Sequence, residues 1–278
     1  MIYDFLAKSP VFNRDDFVAY RESSGASTQA FTINRLIDYY CKAGLILRIR
    51  KNLFAANVGK QPTLFPLPYF IASKIAPDSV LAYHTAMMVR GYAYSMFTRH
   101  YYLSKQHILP FDYRNQSYQA VSPQKELLLK DSAFIETELI NVHDQKIKVT
   151  SIARTLVDSL DNPFLAGGWE ELWRNFDNIH FFEWDNLLHY IQLFDKAILY
   201  AKLGFYLSIR QQQGMRVPQN FLDLLAKNLP KKLCYIDLKG RFSANQRWRL
   251  VKPWQLIVPD EMITQSWEEV YQPSDFDI

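Results

Sequence analysis

The sequence predicts a mixed α/β (α+β) protein, and three observations carry that prediction. Stretches with apolar residues at three- and four-residue spacing are interspersed with stretches whose apolar residues alternate or run together, as helices and strands require. Proline and glycine punctuate the chain into many short elements. Hydrophobic residues make up 49% of the 278, enough for the cores of one to three domains. No apolar run approaches the roughly 18 residues of a membrane span, so no membrane partner is expected.

The first 58 residues predict helix, helix, helix and hairpin. Residues 1–7 form a short helix with Ile2, Phe5 and Leu6 apolar. Asn13 caps a second helix carrying Phe17, Val18 and Tyr20, and Ser23-Ser24-Gly25 breaks it. A third helix runs from Ser27 to Ala43, its core face drawn from Phe31, Ile33, Leu36, Ile37, Tyr40 and Cys41, with Gly44 ending it. Residues 45–50 read as a strand with basic residues alternating at its end. Lys51-Asn52 turns the chain, and Leu53-Phe54-Ala55 begins a return strand.

A long helix, a glycine and a short hairpin with a basic tip make a winged helix-turn-helix over residues 1–58. A helix fits the DNA major groove and its polar face can read base edges. That face offers Thr28, Gln29, Thr32, Asn34 and Arg35, while Arg48, Arg50 and Lys51 on the wing suit phosphates. The same fold also serves small domains that only contact other proteins.

Gly59-Lys60-Gln61-Pro62 reads as a linker, and a larger mixed α/β domain is expected over residues 66–278, with a sub-boundary near 150. Tyr69–Ile75 and Thr85–Arg90 predict helices; 99–104, 117–121, 134–140 and 146–149 predict strands. Asp78-Ser79 either caps a helix or ends a loop before Val80. From Ser151 the pattern turns helical, over 152–160, 169–176, 184–194 and 196–213. Strands return at 234–238 and 248–251.

Charge is unevenly distributed. Residues 1–60 carry nine Lys/Arg against five Asp/Glu, residues 61–209 thirteen against fifteen, residues 210–255 ten against two, and residues 256–278 none against six. The second basic region, with Lys231, Lys232, Lys239, Arg241, Arg247 and Arg249, is a candidate contact surface for DNA or an acidic protein face. Cys41 and Cys234 are the only cysteines. They make neither a disulfide framework nor a zinc site, fit a reducing cytoplasm, and are expected in the core.

Catalytic signatures are sparse. The six histidines form no HxH or HxxxH pair, no glycine-rich phosphate loop is present, and no serine sits in a G-x-S-x-G setting. No catalytic residue, metal or cofactor is therefore assigned. One alternative stays open: Asp237-Leu238-Lys239 has the D-x-K form of some metal-dependent nucleases, with Asp223 or Glu183 as an arbitrary second acid.

Four stretches of the chain resemble the AbiEi-type antitoxins, the transcriptional-regulator half of type IV toxin–antitoxin systems. They are the winged-helix end over 43–55; residues 72–75 with 79–86 and Gly91; residues 149–158 with Asp161-Asn162-Pro163 and 166–171; and residues 203–207 with 243–250. Asn52 stands where that family commonly has glycine, which a positive-φ turn tolerates. The resemblance implies a cytoplasmic, non-enzymatic autorepressor: the winged helix binds double-stranded operator DNA, and the larger domain neutralises a nucleotidyltransferase-like toxin. Read from the residues themselves, Arg154 and Asp158 form an i,i+4 pair worth a few tenths of a kcal/mol, and Ala166-Gly167-Gly168 is a hinge into the next helix.

Overall fold

The computed structural model describes residues 2–57, 67–237 and 247–265. The chain divides into two compact units, residues 1–151 and 152–278.

The first unit begins with α1 (Ile2–Lys8), β1 (Val11–Asn13), α2 (Arg14–Ser23), α3 (Ala30–Lys42), β2 (Ile46–Arg50) and β3 (Leu53–Ala56). The three strands form an antiparallel sheet in the order β1-β3-β2, which completes the expected winged helix. Asn13 caps α2 reciprocally: its side chain accepts from the Asp16 amide at 2.8 Å, and the Asp16 carboxylate accepts from the Asn13 amide at 3.0 Å. Asn52 holds the wing turn at φ 62°. Phe5, Phe12, Phe17, Ile33, Ile37, Ile46 and Phe54 form the core beneath the helices.

The remainder of this unit comprises α4 (Leu67–Lys74), β4 (Val80–Leu81), α5 (Tyr83–Arg90), β5 (Arg99–Leu103), β6 (Phe111–Tyr113), β7 (Gln116–Val121), α6 (Lys125–Leu129), β8 (Thr137–Val142) and β9 (Gln145–Thr150). Its six-stranded sheet runs β6-β7-β5-β4-β9-β8, parallel at β5–β7 and β4–β9 and antiparallel elsewhere. Two-residue turns with positive φ at both centres, Arg114-Asn115 and His143-Asp144, close the two hairpins, as the twist of paired strands favours. Asp78 lies in a loop, where its carboxylate accepts from the Ser104 hydroxyl and the Lys105 amide, each at 2.7 Å.

The expected linker at 59–62 lies outside the described residues. In packing, the winged helix is continuous with the six-stranded sheet and its helices. Val11, Leu53 and Ala55 share one buried cluster with Tyr69, Ile71, Tyr102 and Val149.

Several elements differ from expectation. β1 and β6 are three residues long, too short to show a period, and exist because neighbouring strands pair with them. The strand expected at 134–140 starts at Thr137, because Glu136 turns the chain at φ 52°. α3 starts at Ala30, so Thr28 and Gln29 precede it. Cys41 and Cys234 are half-buried free thiols rather than core residues.

The second unit holds α7 (Ile152–Asp161), α8 (Trp169–Asp177), α9 (Trp184–Phe194), α10 (Ala197–Gln212), α11 (Gln219–Lys227), β10 (Cys234–Tyr235), β11 (Trp248–Val251), β12 (Leu256–Pro259) and α12 (Asp260–Thr264). β12 is the centre of a three-stranded sheet, parallel to β10 and antiparallel to β11. The sequence does not announce it, because Leu256-Ile257-Val258 is a short apolar run without alternation. α11 is likewise unexpected. Gly167 and Gly168, at φ 92° and 97°, make the sharp entry into α8, a conformation L side chains rarely adopt.

Residues 153–160 of α7 are all buried, and this revises the Arg154–Asp158 pair. The two side chains are 0% and 2% exposed and 3.2 Å apart, so the pair is an interior anchor rather than a surface contact. The Tyr190 hydroxyl donates to Asp158 at 2.7 Å, tying α9 to α7. Burial raises the Asp158 pKa, opposed by the Arg154 charge and the Tyr190 hydrogen bond. Removing one member of such a pair typically costs about 3–5 kcal/mol, because the other charge is left buried alone.

Gly204 in the middle of α10 has a packing reason. The Trp254 ring lies directly against it, where a Cβ would enter the ring, and the Trp254 indole N–H donates to the Ser208 hydroxyl one turn later at 2.9 Å. Gly204→Ala is expected to lower the unfolding free energy by about 1–3 kcal/mol through overpacking, although alanine is the better helix former. A urea titration of the two proteins measures this, and an unchanged or higher midpoint contradicts it.

Candidate nucleic-acid interface

α3 has one buried face and one exposed face. Ile33 and Ile37 are buried beneath it, while Asn34, Arg35, Asp38 and Tyr39 are exposed and Thr32 is half-buried. Gln29 is the N-cap residue, exposed and without a side-chain capping bond; Thr28 is half-buried in the turn before it. The N-terminal end of a helix is where groove-reading residues act.

Phe31 departs from expectation. Rather than joining the core face it is 71% exposed, with the Arg35 guanidinium 5.6 Å from its ring centroid. Its spacing carries the signal, since Phe31 stands two residues before Ile33 and falls off the 33-36-37-40 stripe. An exposed aromatic beside an arginine can meet a thymine methyl.

The wing divides its three basic residues. Arg48 is exposed, pairs with Asp38 of α3 at 3.0 Å and lies 5.3 Å from the Phe54 ring centroid. An ion pair this open is worth about 0–1 kcal/mol, so a phosphate competes with it readily. Lys51 is exposed at the tip. Arg50 points elsewhere. A register shift between Arg48 and Arg50 breaks the alternation that would put both on one face. The Arg50 guanidinium lies instead over Phe111 of β6, 4.9 Å from the ring centroid.

The second basic region is described only in part. Lys231, Lys232 and Arg247 are exposed; Lys239 and Arg241 lie outside the described residues. Arg249 is paired with Asp260 at 2.6 Å.

Asp237 accepts from the Trp169 indole N–H at 3.1 Å. The acids nominated to join it are engaged elsewhere, Asp223 by Gln219 and Glu183 by Asn186. The acid sharing its cavity of about 400 Å³ is Asp161, together with Lys202. Among the described residues, no group of three or more His, Cys, Asp or Glu stands ready to hold a metal ion. No described helix is long and apolar enough to cross a membrane.

Lys202 is a buried base. It is 7% exposed, donates to the Leu160 carbonyl at 2.8 Å and lies 5.2 Å from the Trp169 ring centroid. Burial lowers its pKa to about 8, against the opposing pull of Asp161 and Asp237. His84 and His100 are buried in the first unit, His84 stacked on Phe97 at 4.1 Å.

No protein-family model matches the chain, and no curated protein matches it either. Among solved structures, the fold is similar to that of the RV2827C protein from Mycobacterium tuberculosis, with a TM-score of 0.54 at 14% identity over 92% of this chain and 89% of that one. At that identity the likeness concerns the fold alone.

The Lys202 environment carries a pH signature. Its folded pKa of about 8 lies below the ordinary 10.5, so between those values the unfolded chain binds more protons and stability rises with pH. Wild type is expected to gain up to about 3 kcal/mol, relative to Lys202→Met, from pH 8 to 10.5. Urea unfolding of both proteins across that range measures the difference, and parallel curves refute it.

Proposed function

We propose that this chain is a non-enzymatic, cytoplasmic DNA-binding autorepressor and antitoxin. Its winged helix reads double-stranded operator DNA, and the rest of the chain neutralises a nucleotidyltransferase-like toxin. One observation carries the DNA half. Phe31 and Arg35 of α3 and its N-cap residue Gln29 are exposed, with Thr32 half-buried among them, beside a wing that offers Arg48 and Lys51 to phosphates. Arg50, engaged with Phe111, takes no part in this reading. The toxin half rests on the resemblance of four stretches of the chain to AbiEi-type antitoxins, with Lys231, Lys232 and Arg247 as exposed cations for an acidic partner.

Fluorescence anisotropy with DNA from upstream of the protein's own gene tests the first half. Each phosphate contact contributes about 0.9 to the log–log salt slope, so Arg48→Ala with Lys51→Ala is expected to weaken binding to all sequences and lower the slope by about 2. Arg35→Ala and Phe31→Ala are expected to flatten the preference for operator over random DNA by roughly tenfold each. Unchanged affinity in both sets refutes operator reading.

The toxin half predicts that the purified chain captures the product of the adjacent gene. Charge reversal at Lys231, Lys232 and Arg247 is expected to reduce capture while leaving operator affinity intact. Equal capture by wild type and the reversed variant removes that surface from the interface.

A further inference from the structure

Two side chains in the first turns of α3 have the chemistry of base-edge contacts. Phe31 is 71% exposed, and Arg35 is exposed one turn later. Residues four apart on a helix share a face, and this one lies away from the face that Ile33 and Ile37 bury. The Arg35 guanidinium lies 5.6 Å from the Phe31 ring centroid, within the range of a cation–π contact. The first turns of a helix seated in the major groove are the ones that reach the bases.

Both residues differ from their counterparts in the winged helix. Phe5, Phe12, Phe17 and Phe54 are at most 9% exposed, whereas Phe31 stands in water. Arg14 donates to the Asn34 side chain at 3.5 Å, Arg21 to the Ser27 carbonyl at 3.3 Å and Arg48 to Asp38 at 3.0 Å. Arg50 is half-buried and turned onto Phe111. Arg35 makes no hydrogen bond and no ion pair among the described residues. All five N–H donors of its planar fork are therefore uncommitted.

The base edges that answer this pair are few. Guanine offers O6 and N7, two acceptors spaced for a bidentate arginine, and no other base presents two acceptors in the major groove. Thymine alone offers an apolar methyl there. Base pairs in B-DNA are 3.4 Å apart, so two groups separated by 5.6 Å lie less than two steps from each other and fall on adjacent pairs. An apolar protein surface would cover Phe31 but leave the guanidinium unanswered. Residues 1–60 also carry nine Lys/Arg against five Asp/Glu, a balance that favours a polyanion.

We infer that Phe31 and Arg35 are the specificity-determining pair of α3, and that they read a thymine and a guanine on adjacent base pairs. Phe31 packs on the thymine C5 methyl, and Arg35 donates to guanine O6 and N7. This rests on the operator reading and narrows it from a duplex to two base edges.

The test uses the full chain and a duplex that it selects from a library with a randomised centre. Fluorescence anisotropy compares that duplex with copies carrying uracil for one thymine, which removes only the methyl, or 7-deazaguanine for one guanine, which removes only the N7 acceptor. At one pair of adjacent positions, uracil is expected to weaken wild-type binding by about fourfold, the worth of one buried methyl, and 7-deazaguanine by about tenfold. Phe31→Ala is expected to lose the response to uracil and keep the response to 7-deazaguanine. Arg35→Lys, which keeps the charge without the fork, is expected to do the reverse. Both side chains are exposed, so neither substitution touches the core. Sequence-selective binding that ignores either analogue at every position, or responses that persist in both variants, overturns this pair and leaves the operator reading standing. No enrichment from the library and no anisotropy change with any duplex overturns both.

Discussion

The first unit is built around one strand that belongs to two cores. β3 has no polar residue at 53–55 and is buried on both faces. Phe54 points into the helical core with Phe12, Phe17 and Ile37, while Leu53 and Ala55 enter the cluster with Tyr69, Ile71 and Tyr102. β1 divides the same way, with Phe12 in one core and Val11 in the other. Because successive side chains of a strand point to opposite faces, this three-stranded sheet cannot be withdrawn from either core without exposing apolar surface. The winged helix is thus one layer of a larger unit.

Arg50 owes its place to this arrangement. Strict alternation along β2 would put it beside Arg48, facing outward. The irregularity between them sends Arg50 toward Phe111, where its planar guanidinium lies over an aromatic ring. A wing residue has become part of the contact between the wing and the six-stranded sheet, which leaves Arg48 and Lys51 as the wing cations directed to solvent.

The second unit is organised by polar groups inside an otherwise apolar interior. Asp158 holds Arg154 and Tyr190; Lys202 holds the end of α7 through the Leu160 carbonyl; Arg210 pairs with Asp177 at 2.7 Å. Each links helices distant in sequence. Directional bonds of this kind are weak net contributors when intact and expensive when broken, so they specify which helix faces which more than they add stability. Gly204 and Trp254 do the same by shape, since only a residue without a side chain lets the indole ring lie on α10.

The sequence by itself determined the local order of this protein: the three helices and hairpin at the start, the Asn13 cap, the glycine hinge at 167–168 and the helical run after 151. Those features depend on neighbours within a few residues, through periodicity, capping and permitted φ. It also placed Thr32 and Arg35 off the apolar stripe of α3. Only the tertiary structure decided the rest. β1, β6 and β12 are too short or too uniformly apolar to announce themselves, and exist through partners distant in sequence. The burial of Arg154 and Asp158, the diversion of Arg50 and the exposure of Phe31 depend on what stands opposite each residue. Spacing along a chain reports which residues share a face; what covers that face is decided by elements far away in sequence.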